Sequence, residues 1–121
     1  MASESGKTGQ RGEKEAVSYL KKKGYKILKT NFRTRFAELD IIARDRNTLC
    51  FIEVKARRSL KTGLPKEAVT ATKQKKIILA ATSYLKDSDL FDSEIRFDVV
   101  EVFFTHDKIS VNLIKNAFQA D

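Results

Sequence analysis

The chain has 121 residues, 41% hydrophobic and 33% charged, which suits one domain with its own core. No apolar run approaches the ~18 residues of a membrane span, so no membrane partner is expected. A single Cys50 and a single His106 exclude an internal disulfide and a Cys/His zinc cage.

The net charge of +8 and the pI near 9.7 make nucleic acid a candidate partner. A lysine-rich solvated surface is the plainer explanation of the same charge. The polar start of the chain shows no secretory signal, and the lone cysteine suits a reducing compartment, so the expected location is cytoplasmic.

Residues 1–8 read as a flexible leader and residues 9–121 as a single domain. A first helix is expected over 9–23. Ala16, Val17 and Leu20 share its inner face, and Gly24 fits the position just past its end. Glu13 lies toward that inner face, although a first-turn carboxylate is also favoured by the helix dipole alone. A strand follows over 25–33. Arg33 and Arg35 then lead into the next strand, where either could hold phosphate or pair with an acid.

The densest apolar stretch comes next. Ile41, Ile42 and Ala43 form one run, and Leu49, Cys50, Phe51, Ile52 and Val54 the other, as expected of central strands. Yet these runs carry Glu38, Asp40, Glu53 and Lys55, and charges rarely enter a core unless paired or bound to a metal. If Arg46 and Asn47 form the turn, Asp45 faces Thr48. Counting back then sets Asp40 opposite Glu53 and Glu38 opposite Lys55. A four-residue loop keeps this register. Side chains alternate faces, so the four charged groups share one face. Two facing carboxylates repel unless a proton or cation lies between them, and Mg²⁺ suits such a pair. Cross-strand salt bridges on a solvated edge are the simpler alternative.

Lys55, Arg57, Arg58, Lys61 and Lys66 follow directly, in a charged loop. A second helix is expected over 65–86, with Pro65 in its first turn. Lys73, Lys75 and Lys76 come early in it, and Gln74, Ile77, Ile78, Ala81, Tyr84 and Leu85 form its inner stripe. Strands are expected over 95–104 and 109–114, joined by a turn at 105–108 that contains His106 as a solvated residue. Asp98 interrupts the first of these strands and reads as an acid paired with Arg96 or a helix end.

Asp40 followed by Glu53-Val54-Lys55 resembles the PD-(D/E)xK nuclease motif. The ordered segments GQRGEKEAVSYLKKKGYKIL, NFR, AELDIIARD, FIEVKARR, GLPKEAV and RFDVV resemble the uncharacterised bacterial YraN-like family. That family is similar to Holliday-junction resolvases, and the match runs from Gly9 to Val100. The resemblance implies an α/β (α+β mixed sheet) fold with a restriction-endonuclease-like core: helix, three strands, helix, two strands. It implies a metal-dependent endonuclease acting on DNA, with branched or structured DNA as substrate.

Asp40, Glu53 and Glu13 are the implied ligands of Mg²⁺ (or Mn²⁺). Lys55, Glu53, Asp40 and Glu38 form the implied catalytic set, with Glu38 tuning Lys55 or joining a second metal. Arg33, Arg35, Arg57, Arg58, Lys61 and Lys73 are the expected nucleic-acid contacts. Junction-cutting relatives work as symmetric dimers, so a homodimer is admitted. Two departures stand out. Ala37 occupies a place usually held by Gly, and Gln74 is followed by Ile78 where some superfamily members carry Gln-x-x-x-Tyr. The alternatives are a non-catalytic nucleic-acid-binding module on a nuclease-like scaffold, or an interaction domain whose charges are all salt bridges.

Overall fold

The computed structural model describes residues 4–58, 69–90 and 92–120, with side chains from residue 9 onward. The elements run α1 (Glu4–Lys22), β1 (Lys26–Arg33), β2 (Glu38–Asp45), β3 (Thr48–Arg57), α2 (Ala71–Asp87), β4 (Glu94–Thr105) and β5 (Lys108–Phe118). The five strands form one sheet in chain order. Only β3 and β4 are parallel, and α2 provides their crossover. The class is α+β with a mixed sheet, consistent with a restriction-endonuclease-like core.

The two helices cover opposite faces. Ala16 and Leu20 of α1 pack on Ile41, Ala43, Cys50, Ile52, Val100 and Val102. Ile77, Ala80, Ala81 and Leu85 of α2 pack on Ile42, Leu49, Phe51, Phe97 and Val99. Strand alternation divides these two sets, and the helical spacing of four residues lines up each helix's contribution. Val54 packs with the α1 side, on the face opposite its charged neighbours.

Helix ends follow local chemistry. Gly24 has φ of +92°, and the N–H of Tyr25 reaches back to the carbonyl of Leu20 at 2.9 Å. This closes α1 as expected of a glycine past the helix end. At the other end, α1 starts at Glu4, not at residue 9, so residues 4–8 belong to the helix. No proline interrupts the segment, and extending a helix is far easier than nucleating one.

Helix α2 starts at Ala71, not at residue 65. Thr70 has extended backbone (φ −65°, ψ 160°), and its hydroxyl accepts from the N–H of Lys73 at 3.2 Å. A threonine so placed ends the preceding chain direction and satisfies an orphan helix donor. Pro65, Lys61 and Lys66 lie outside the described residues.

Among the described residues the β1–β2 hairpin turns on residues 34–37, and the other two hairpins turn on two residues each. Arg46 (φ +59°) and Asn47 join β2 to β3, and His106 (φ +50°) and Asp107 join β4 to β5. The ladder thus narrows the expected four-residue turn at 105–108 and lengthens the last strand to Phe118. Among the described residues no helix is long and apolar enough to cross a membrane.

Candidate active site

The expected β2–β3 register holds from Asp45↔Thr48 to Ile41↔Ile52 and then stops. Beyond Ile41, β2 remains with β1 through Leu39 and Glu38, while β3 remains with β4 as far as Arg57↔Phe103. The two central strands therefore part at Asp40 and Glu53. In this fork, Asp40 Oδ2 accepts from the N–H of Val54 at 2.8 Å, so a side chain replaces a ladder bond. The strand alternation also breaks there. Ile41 packs under α1, whereas Leu39, two residues away, packs under α2. On β1 the matching kink is Asn31, with φ of +53°.

Asp40 and Glu53 are brought together at the fork. Burial and then the charge of Glu53 push the Asp40 carboxyl up to about 8. Glu53 is itself buried, and its Oε1 holds Lys73 Nζ of α2 at 2.6 Å and Lys55 Nζ at 3.6 Å. Lys55 is held below the usual lysine range by burial and by the adjacent Lys73 ammonium. Burial works against charged Lys73, but its bond to Glu53 outweighs that and raises it. Asp40, Glu53 and Lys55 thus meet on the α2 face of the sheet.

Glu13 approaches from α1, on the other face. The preceding Gly12 makes this close approach: a Cβ there would stand 2.8 Å from the Ala56 Cβ of β3. Burial, then the charge of Glu38, raise the Glu13 carboxyl; Glu53 adds to the rise, while a hydrogen bond with Asn31 opposes it. Among the described residues no three acidic, histidine or cysteine side chains converge tightly enough to cage a metal alone. The Asp40–Glu53 pair nevertheless fits Mg²⁺ in kind. Its oxygens are hard donors, and Mg²⁺ commonly uses one or two carboxylates, completed by waters and substrate phosphate.

The pair opens into a cleft of about 540 Å³. Phe36, Ala37, Glu38 and Asp40 form one wall, Glu53 the floor, and Thr70, Thr72, Lys73 and Lys76 line the side formed by the start of α2. Glu38 lines this cleft but pairs with the exposed Arg33 at 3.1 Å; the ladder does not extend to the expected Glu38–Lys55 pairing. Arg35 lies over the Phe36 ring at 5.0 Å. Arg58 is exposed.

Arg57 Nε donates to Glu101 Oε2 at 3.3 Å. Glu101 is an acid that sequence reading passed over. It is 1% exposed, sits beside Lys55 in the parallel ladder and also accepts from Asn112 Nδ2. The signal was present: a carboxylate inside the apolar run VVEVFF is the same conflict that marks Glu53.

Asp98, by contrast, is structural. Fully buried, it receives both Arg96 Nε and Nη2, at 2.8 and 2.9 Å, and the N–H of Asn116. Arg96 also reaches Asp45 and the Tyr25 hydroxyl, tying together the end of the sheet away from the fork.

A mixed sheet with helices on both faces, forked over a carboxylate pair with a lysine two residues on, defines a protein with a restriction-endonuclease-like core. Residues 12–102 match the model of "Uncharacterised protein family UPF0102", and the chain belongs to that family. It is similar to a UPF0102 protein of Caldicellulosiruptor saccharolyticus, 48% identical over 91% of this chain and 95% of the relative. A UPF0102 protein of Desulforapulum autotrophicum is 43% identical over the whole of both chains. Another, from Chlorobium phaeobacteroides, is 50% identical over 91% of this chain and 92% of the relative.

Proposed function

We propose that this protein is a metal-dependent endonuclease that hydrolyses phosphodiester bonds of DNA, with branched or structured DNA as its substrate. The observation that carries the reading is the fork in the sheet. It gathers Asp40 and Glu53 side by side, with Lys55 next along the strand, in an open cleft edged by lysines.

Asp40 and Glu53 are the residues that would hold Mg²⁺ or Mn²⁺. The bond from Val54 N–H fixes the Asp40 carboxylate while leaving it a second oxygen. When bound, the cation supplies Lewis-acid polarisation of the phosphoryl oxygen and a more acidic water. Lys55 orients that water or stabilises charge developing at phosphorus. Lys73 neutralises Glu53, and would be free to meet phosphate if a divalent cation took over that charge. Glu13 and Glu38 add negative potential around the fork. Lys76 adds a cation on the α2 side of the cleft, where phosphates bind.

One observation favours a second reading. Lys73 Nζ already sits on Glu53 at 2.6 Å, so the carboxylate has a built-in counter-ion. That arrangement suits a nucleic-acid-binding module that performs no cleavage. A screen over linear, single-stranded, flapped and four-way DNA separates the two. The nuclease reading expects cutting in Mg²⁺ or Mn²⁺ that is absent in EDTA and absent in Asp40→Asn. Binding of these DNAs with none cut under any condition selects the binding module.

A further inference from the structure

The large hydrophobic side chains more than a third exposed among the described residues are Phe36, Leu79, Ile95 and Ile109. Scattered exposed aliphatics are ordinary on soluble proteins. Phe36 differs in both chemistry and place. It is the aromatic one, and it lines the same cleft as Asp40 and Glu53, with Lys73 and Lys76 also lining it.

Its backbone is held rigidly. The Thr34 hydroxyl accepts from the N–H groups of Phe36 and Ala37, at 3.0 and 3.2 Å, and donates to the Ala37 carbonyl at 3.1 Å. The Thr34 N–H bonds the same carbonyl at 3.0 Å. A ring on so tight a turn has two side-chain torsions left to settle, so presenting it to a ligand costs little entropy. The Arg35 guanidinium lies over the ring at 5.0 Å, and the residue keeps 37% of its surface exposed. Phe36 packs into neither core cluster.

We propose that Phe36 is a stacking platform for an unpaired nucleobase beside the phosphate held in the Asp40–Glu53 cleft. The inference rests on the nucleic-acid reading above and names its substrate class. A basic groove combined with an exposed aromatic is how proteins bind single strands: lysines follow the phosphates and the ring takes a base face. In an intact duplex every base face is covered by its neighbours. A base reaches Phe36 only from a single strand, a flap or the open centre of a branch. Arg35 serves the same contact, since a guanidinium plane both stacks and carries positive charge.

The test compares wild type, Phe36→Ala and Phe36→Tyr for binding to a single-stranded oligonucleotide and to a blunt duplex of the same sequence. Binding is read in Ca²⁺, chosen to occupy the site without supporting turnover, cleavage is read separately in Mg²⁺, and melting curves verify that each variant is folded. A 2-aminopurine in the single strand reports stacking through its fluorescence. The expected result is single-strand affinity reduced by about 5- to 150-fold in Phe36→Ala, the loss of one stacked base. Duplex affinity stays within about two-fold, Phe36→Tyr keeps wild-type affinity, and quenching of 2-aminopurine is lost only in the alanine variant. Equal loss on both DNAs, or unchanged single-strand binding, overturns the proposal. A wild type that binds no DNA overturns it together with the nuclease reading. Wild-type cleavage with an unaffected Phe36→Ala overturns the platform alone. Selective single-strand loss in a protein that never cuts leaves the platform standing and removes the nuclease.

Discussion

Asp40 is held between two demands. Its backbone partner Val54 favours the carboxylate, whereas burial and Glu53 favour the protonated acid, and the latter prevail. A carboxyl raised from 3.8 to about 8 keeps a proton in the fold that the unfolded chain has released. Its contribution to stability is therefore full below about pH 4 and is lost as pH rises through about 8. The amide introduced by Asp40→Asn cannot titrate and still offers an acceptor to Val54. In EDTA, Asp40→Asn should melt several degrees above wild type at pH 8 and level with it at pH 4, a shift of the size that ~1 kcal/mol produces in a domain this small. With Mg²⁺ at pH 8 the order should reverse, because a ligand stabilises only the state that binds it. Melting curves over pH 4–8 with and without Mg²⁺ check both. A less stable Asp40→Asn in EDTA would contradict the crowding of charge at the fork.

At this scale the sequence revealed the acids that break apolar runs, Asp40 and Glu53, because burying a charge is costly enough to require a reason. It did not reveal which cation answers each acid. Lys73, an expected DNA contact, pairs with Glu53 within the protein, and Arg57, another, pairs with Glu101. Partners so distant in the chain are set by the packing of α2 and β4, which residue pattern does not encode.

Among the elements, α1 shows how one missing side chain sets a site. Gly12, Ala16 and Leu20 form its buried line, and at Gly12 the helix backbone comes down on Ala56. An alanine in a helix interior is normally better than glycine by about 1 kcal/mol. Gly12→Ala should nonetheless destabilise, by the ~1–3 kcal/mol typical of overpacking, as its Cβ meets that of Ala56. Gly12→Ala combined with Ala56→Gly removes the collision and should recover most of the loss. Denaturant titration of the four members of this cycle measures the coupling, and a more stable Gly12→Ala alone would refute the close approach.

Element type and order were legible from periodicity, as was the β2–β3 register as far as Ile41↔Ile52, which two-residue turn geometry and the apolar faces jointly fix. Boundaries were less so. Pro65 suggested an early start for α2, whereas Thr70 caps it, and the Ser/Gly/Lys composition of the chain start hid that α1 begins at Glu4. The fork was invisible because strand alternation assumes an unbroken ladder, and Asn31 with Leu39 breaks it.

For the molecule as a whole, the parallel β3–β4 pair is decisive. It lets β3 continue past the end of its hairpin with β2, so Glu53 and Lys55 stay on an ordered strand while β2 turns away with Asp40. The cleft is the gap between those paths, closed on one side by the start of α2. A chain of net charge +8 thus gathers Asp40 and Glu53 at one fork and sets Lys55, Lys73 and Lys76 around it, the distribution on which the proposed binding of DNA and a divalent cation rests.

The most direct test of this account is the single-turnover cleavage rate of Lys55→Ala against wild type, at saturating DNA in Mg²⁺, on whichever substrate the screen finds cut. One phosphate contact among several carries only part of an electrostatic affinity, with each contact adding about 0.9 to the salt slope on duplex DNA. Lys55→Ala should therefore bind DNA within a few-fold of wild type. Loss of a group placed where charge develops costs on the order of 10²–10³ in rate, and that is the expected fall. An unchanged rate in Lys55→Ala, or a wild type that cuts none of the DNAs, would contradict a nuclease centre at the fork.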